Sequence, residues 1–326
     1  MERLEYVDVF RGIAILDMIF WHLFNAFSVH SIYTDPPYYI KALNWTVFPP
    51  PLLFTFIAGI SVYLLINKLQ EQKAKNIAFG VVKRYGFYVL VSLPFTWFMW
   101  NLATYLGWQE AIQGIGLTAI FLSFILLAKP KNWHLFAMTF GFAGLQATLY
   151  YLTAGLTFSL PLTVVLNAFV RGWFSVTSLM PFMLAGVLVF KLIRYEKSLK
   201  KPLVLAVVFT AVGILLHLMG LKIDYFERSF AYDIFAIGLA ALITVAVFYI
   251  WKKIKFNWRF FTTLGKASFA IYIGHFLLII KPAQLLHVAD TMPDWLAFLF
   301  AIAFIMVIYF AAEFYLKYKP KLKKFS

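Results

Sequence analysis

Apolar stretches about twenty residues long recur along the chain, separated by short polar intervals, and ~20 apolar residues are enough to cross a bilayer as a helix. Ten spans are expected. The first five are about Val9 to Val29, Phe48 to Ile66, Ile77 to Trp97, Ala111 to Ala128 and Trp133 to Tyr151. The others are about Val176 to Ile193, Pro202 to Leu221, Phe230 to Trp251, Phe261 to Ile280 and Trp295 to Leu316. The first run is too long for a signal-peptide core and lacks a small-residue cleavage pattern, so it is expected to stay in the mature protein. The two longest outer segments, His30 to Val47 and Leu152 to Ser175, are aromatic and proline-containing, and are expected to fold against the bundle rather than act as linkers. No repeat, low-complexity tract or shift in composition divides the chain. The pattern therefore predicts an all-α integral membrane protein with a single polytopic domain over residues 1–326.

Charge orients the spans. Lys68, Lys73, Lys75, Lys83 and Arg84 follow the second span, Lys129 and Lys131 the fourth, and Lys191, Arg194, Lys197, Lys200 and Lys201 the sixth. Lys252, Lys253, Lys255, Arg259 and Lys266 follow the eighth, and Lys317, Lys319, Lys321, Lys323 and Lys324 close the chain. All fall on the side of the N-terminus, whereas the opposite loops hold few cations and several acids, among them Asp35, Glu110, Asp224, Glu227, Asp290 and Asp294. Cytoplasmic loops collect lysine and arginine, so both termini are expected in the cytoplasm. Composition agrees: 63% of the 326 residues are hydrophobic and 13% charged, too apolar for a soluble domain. The net charge of +15 is explained by these loop clusters and gives no reason to expect a nucleic-acid partner. There is no cysteine, hence no disulfide, thiolate metal site or cysteine nucleophile. The expected partner is the lipid bilayer of the cell membrane, and the sequence leaves a homo-oligomer open.

The first span contains groups that hydrocarbon disfavours. "FRGIAILDMIFWHLF" carries Arg11, Asp17 and His22. A helix turns ~100° per residue, so eleven residues return to within ~20° of the same face, ~16 Å further along the axis. Arg11 and His22 thus share a face, which Asp8 and Asn25 extend at either end, while Asp17 points elsewhere. This polar seam runs from the cytoplasmic boundary, where Arg11 sits beside Asp8, to His22 in the outer half of the membrane. One reading is a snorkelling arginine paired with Asp8 and a histidine bonded to a neighbouring helix. The sharper reading, since intramembrane ionisable groups mark function, is a base at the end of a path from the cytoplasm. A neutral imidazole suits that work.

A second histidine, His275 in "GKASFAIYIGHFLL", lies ~20 Å above the inner boundary, close to the ~18 Å expected for His22, so the two are expected at one depth. It is read either as an interhelical hydrogen bonder or as an orienting group for a substrate. His217, His30, His134 and His287 lie at boundaries or in loops. No spacing of acids and histidines suggests a metal site. Lys83 and Arg84 in "VVKRYGFY" and Lys266 in "LGKASFA" are read as inner-face anchors or as a binding place for a phosphorylated ligand.

The stretch "RLEYVDVFRGIAILDMIFWHLFN" resembles the opening of the heparan-alpha-glucosaminide N-acetyltransferase family, whose Asp-x-x-Arg-Gly signature leads into its first span. "VFPPPLLFTFIAGISVYL" looks like the second span of that family, and "AIQGIGLTAIFLSFIL" is similar to its leucine-glutamine-arginine-isoleucine-glycine helix, with Gly114 in place of the arginine. The resemblance is clear over about the first 130 residues. The arginine, ten residues and histidine from Arg11 to His22 also resemble the signature of the ten-span acyltransferase-3 family, and "SFAIYIGHF" resembles its penultimate span. Together these resemblances imply a cytosolic acyl-CoA donor such as acetyl-CoA, a ten-span plan, a histidine base, and acylation of a sugar or glycan on the opposite face. One departure matters. The N-acetyltransferase family carries its catalytic histidine in the outer loop before the second span, a place held here by Tyr38 with His30 nearby, and the family usually has asparagine at the position of His22. The resemblance to the O-acylating relatives therefore assigns the base to His22, and transfer to nitrogen or oxygen stays open.

The expected mechanism docks acyl-CoA at the cytoplasmic side with its phosphates near Arg84, Lys83 or Lys266, and its pantetheine arm along the Arg11 face towards His22. His275 then orients the acceptor or polarises the carbonyl, with direct transfer or an acyl-histidine as the two routes. The rival is a proton-coupled secondary transporter with a relay through Asp17, His22, His275 and Glu313, against which stands the absence of a repeat between the two halves.

Overall fold

The computed structural model describes residues 4–29, 50–100, 110–195, 199–221, 223 and 229–322, and within them the chain is helical. In order the helices are α1 (Glu5–Phe27), α2 (Pro50–Glu71), α3 (Ile77–Trp100), α4 (Ala111–Leu127), α5 (Asn132–Thr153) and α6 (Leu160–Leu166). A π-helical turn, Asn167–Arg171, leads to α7 (Val176–Tyr195), α8 (Lys200–Leu218), α9 (Phe230–Lys253) and α10 (Arg259–His275). A second π turn, Phe276–Ile280, runs into α11 (Lys281–Leu285), and α12 (Asp294–Leu322) ends the described chain. The outer segment from His30 to Val47, with His30 and Tyr38, lies outside the described residues, as do Lys197, Asp224, Glu227 and Lys323.

Among the described residues eight helical runs are long and apolar enough to cross a membrane, and the protein is a multi-pass membrane protein. The other two expected spans differ for separate reasons. Helix α4 is 17 residues long, and the 23 residues of α1 include Glu5, Asp8, Arg11 and Asp17. Leu152 to Ser175, expected to fold against the bundle, contains α6 and the π turn. Its Pro161 sits in the first turn of α6, where the missing N–H costs nothing, and the apolar stretch Leu160–Tyr195 continues through the π turn and the non-helical residues 172–175 into α7. Leu90, Trp97, Leu278 and Phe310 are exposed, as side chains facing lipid must be.

The chain forms two compact units, Thr55–Ala246 and the combination of Glu2–Phe54 with Val247–Ser326. In the first, α2 and α7 run parallel and cross where a Cβ on Gly59 would collide with the Met183 backbone and one on Gly186 with that of Phe56. Further along, the Tyr63 ring packs on Phe190 with centroids 6.0 Å apart. The π turn is held by a buried network in which Gln146 Nε2 donates to the Val170 carbonyl at 3.1 Å and Ser175 Oγ to the same oxygen at 3.0 Å.

The second unit places α1 and α10 side by side and parallel, with α12 antiparallel to both. A Cβ on Gly12 would collide with the Phe261 carbonyl, and one on Gly265 with that of Asp8. Small residues at both sides of a crossing let helix backbones approach closely in lipid, where packing rather than water exclusion drives association. Ile15, Ile19, Leu264, Ala297 and Ala301 fill the space around the contact and are almost fully buried. The outer end of α1 is tied to the start of α12: the Val29 amide donates to the Met292 carbonyl at 2.9 Å, the Met292 amide to Phe27 at 2.8 Å, and Ser28 Oγ to Asp294. The directions of α1, α10 and α12 are those that alternate crossings require of the first, ninth and tenth spans.

Candidate functional site

The seam expected on the first span is assembled within the second unit. At the start of α1, Arg11 Nη1 donates to Asp8 Oδ1 at 3.1 Å, with the Asp8 side chain 2% exposed and that of Arg11 26%. A carboxylate this deeply buried is costly unless paired, and the adjacent turn of an arginine is the nearest cation the sequence can supply. Lys266 stands exposed beside Gly265, at the level of Asp8. Lys83 and Arg84 stand exposed on α3, in the first unit.

Three turns beyond Arg11, His22 meets His275. His22 Nδ1 lies 3.0 Å from His275 Nε2, and the rings meet edge to edge with centroids 5.2 Å apart and planes 8° from parallel. The register is exact to the residue: Gly12 faces Gly265, and ten positions later on each helix His22 faces His275. The glycine crossing therefore fixes the depth at which the imidazoles meet. His275 is buried and His22 partly so. Phe276, the first residue of the π turn, sets its ring 5.0 Å from that of His22, and Tyr272 lies 5.7 Å from His275, so apolar rings border the pair. Single π turns inside helices concentrate at functional sites. His275 Nδ1 is 3.1 Å from the Ile271 carbonyl one turn earlier.

The remaining candidates fall elsewhere. Asp17 accepts a hydrogen bond from Trp21, one turn on, and its Oδ2 is buried without a partner among the described residues. It points ~140° away from His22 by helical geometry. Glu313 accepts from Arg259 Nε at 2.9 Å and from the Tyr309 hydroxyl at 2.7 Å. Arg259 is sixteen residues before His275, ~24 Å along the helix axis. A relay through Asp17, the two histidines and Glu313 is thus not assembled, which removes the geometric support of the transporter reading. His134 caps α5 by accepting the Lys131 amide at 3.1 Å, and His217 lies at the exposed end of α8, 3.1 Å from the Leu221 carbonyl.

Sequence reasoning paired the two histidines by depth but missed Gly12, Gly265 and the Ile271 carbonyl. The signal for the glycines was present, since both quoted spans carry glycine ten residues before histidine. A backbone carbonyl leaves no mark in a sequence.

A helical chain with eight runs able to cross a membrane, and with two imidazoles in contact three turns from an arginine–carboxylate pair, belongs to the multi-pass membrane proteins. Residues 3–223 match the family of the heparan-alpha-glucosaminide N-acetyltransferase catalytic domain. The match covers more than half of the chain, and the chain belongs to that family of membrane transferases. It contains α1 with Arg11 and His22 and ends before α10, so His275 lies beyond it. No curated protein matches the chain.

Proposed function

We propose that the protein moves an acyl group, taken to be acetyl, from cytosolic acetyl-CoA or another acyl-CoA to an amine or hydroxyl of a sugar or glycan on the outer face of the cell membrane. The observation that supports this reading best is the contact of His22 with His275 on the α1 face that carries Arg11, in a chain of an N-acetyltransferase family. Both termini are placed in the cytoplasm by the basic loops, and residues 1–326 act as one enzyme domain.

Lys266, or alternatively Lys83 and Arg84 on α3, receives the nucleotide phosphates, for which guanidinium and ammonium groups are suited. The pantetheine arm follows the face of Arg11, whose orientation Asp8 fixes. At the deep end the acceptor N–H or O–H gives its proton to His22 as its lone pair attacks the thioester carbonyl. The C–S bond breaks, and the CoA thiolate takes the proton from the imidazolium. Base catalysis of this kind contributes ~10² to 10⁴ in rate. The test is purified His22→Ala protein with radiolabelled acetyl-CoA and a panel of amino sugars. Transfer should fall by that factor while the protein stays folded; transfer at the wild-type rate would remove His22 from the mechanism. Solute uptake driven by a proton gradient and indifferent to acyl-CoA would favour a transporter instead.

A further inference from the structure

The reading of His22 as the base leaves open which ring nitrogen takes the proton and what His275 does. The hydrogen-bond geometry answers both. A carbonyl oxygen can only accept, so with His275 Nδ1 3.1 Å from the Ile271 carbonyl the hydrogen of that ring sits on Nδ1. Among the described residues no carboxylate touches either ring, and a bare imidazolium in these apolar surroundings would be costly, so each ring is neutral and has a single N–H. His275 Nε2 is then a lone pair. It lies 3.0 Å from His22 Nδ1, which must supply the hydrogen between them. The single N–H of His22 is spent on that contact, and its Nε2 is left as a lone pair.

The reverse arrangement fails on the same distances. If His275 donated from Nε2, its bare Nδ1 would face the Ile271 carbonyl at 3.1 Å, two acceptors opposed in a site where desolvation magnifies the cost.

We infer that His275 is a positioning residue: the chain Ile271 carbonyl, His275, His22 locks His22 as the Nδ1–H tautomer and presents Nε2 as the atom that accepts the acceptor's proton. The inference rests on the acyltransferase reading for its catalytic consequence and on hydrogen-bond geometry for the tautomer. It also reassigns His275, both of whose ring nitrogens are engaged, so that it neither orients the acceptor nor polarises the thioester carbonyl. When His22 gains its proton, the charge is shared along the same chain to the Ile271 carbonyl, as a buried acid steadies the imidazole of a hydrolase triad.

The test is ring ¹⁵N NMR of histidine-labelled protein, with His22→Gln to assign the signals, beside steady-state kinetics of His275→Gln and His275→Leu. Glutamine keeps an acceptor at the place of Nε2; leucine has none. Wild type and His275→Gln should show His22 with its hydrogen on Nδ1. His275→Leu should lose 10- to 100-fold in kcat, the scale for outer partners of metal-bound histidines, with KM unchanged, and His275→Gln should recover most of it. A wild-type His22 carrying its hydrogen on Nε2 would overturn the inference, whether or not the leucine variant folds, and so would wild-type kcat in His275→Leu. Nδ1-protonated His22 in a protein that transfers no acyl group would instead overturn the acyltransferase reading and leave the relay standing.

Discussion

Each unit contains a pair of parallel helices drawn together by reciprocal glycines: Gly59 and Gly186 between α2 and α7, Gly12 and Gly265 between α1 and α10. Past the first crossing the contact is mainly apolar, with Val62, Ile66, Val187 and Leu188 buried and Tyr63 resting on Phe190, its hydroxyl 3.1 Å from that of Tyr195. Past the second it closes on two imidazoles. The same backbone device thus works without histidine. Packing alone does not call for His22 and His275, and desolvating two imidazoles has an energetic cost that an aliphatic pair would avoid. The comparison separates what glycine does, which is to hold helices, from what is proposed for histidine, which is chemistry.

The largest expected effect treats the two pairs alike. Gly12→Leu and Gly59→Leu each drive a side chain into a neighbouring backbone, and each should lose about 3 kcal/mol or more, the upper end of overpacking costs, because backbone cannot swing aside. Thermal unfolding in detergent measures it, and a stable, active Gly12→Leu protein would break the comparison. The next separates the pairs. His22→Ala should unfold close to the wild-type temperature while losing ~10² to 10⁴ in acetyl transfer; a large fall in melting temperature would make His22 a packing residue. Arg11→Ala should raise KM for acetyl-CoA about tenfold, ~1.4 kcal/mol, with kcat little changed, and should also lower the unfolding temperature because Asp8 loses its cation; an unchanged KM would leave Arg11 only the structural pairing. Lys266→Ala, or alternatively Lys83→Ala and Arg84→Ala, should raise the same KM a few-fold at low salt and less at high salt, since exposed charges are screened. The smallest effect is that of Arg259→Ala, whose partner is Glu313. At 70% exposure of the arginine the pair is worth under ~1 kcal/mol, and transfer should not change.

Much of this was legible in the sequence because membrane helices are constrained so tightly. The number of turns from Arg11 to His22 and the rise from the inner boundary to His275 follow from helix geometry alone, which is why equal depth was readable before any contact was known. Which helices touch was not readable: glycine ten residues before histidine occurs on two spans, but one sequence does not say that those spans are neighbours. For Leu152 to Ser175 the aromatic and proline content pointed to a segment packed on the bundle but did not locate α6, whose Pro161 in the first helical turn is compatible with helix. The role of Ile271 was hidden for a different reason, since it acts through its main chain and any side chain would serve.

The account depends on the thioester reaching the imidazole pair. The most direct measurement is the experimentally determined position of a non-transferable acetyl-CoA analogue bound to the wild-type protein. Its nucleotide should lie at the basic inner face and its carbonyl carbon within reach of an acceptor bonded to His22 Nε2. An analogue whose acyl end lies on another face of α1, with His22 and His275 closed off from it by side chains, would contradict the account.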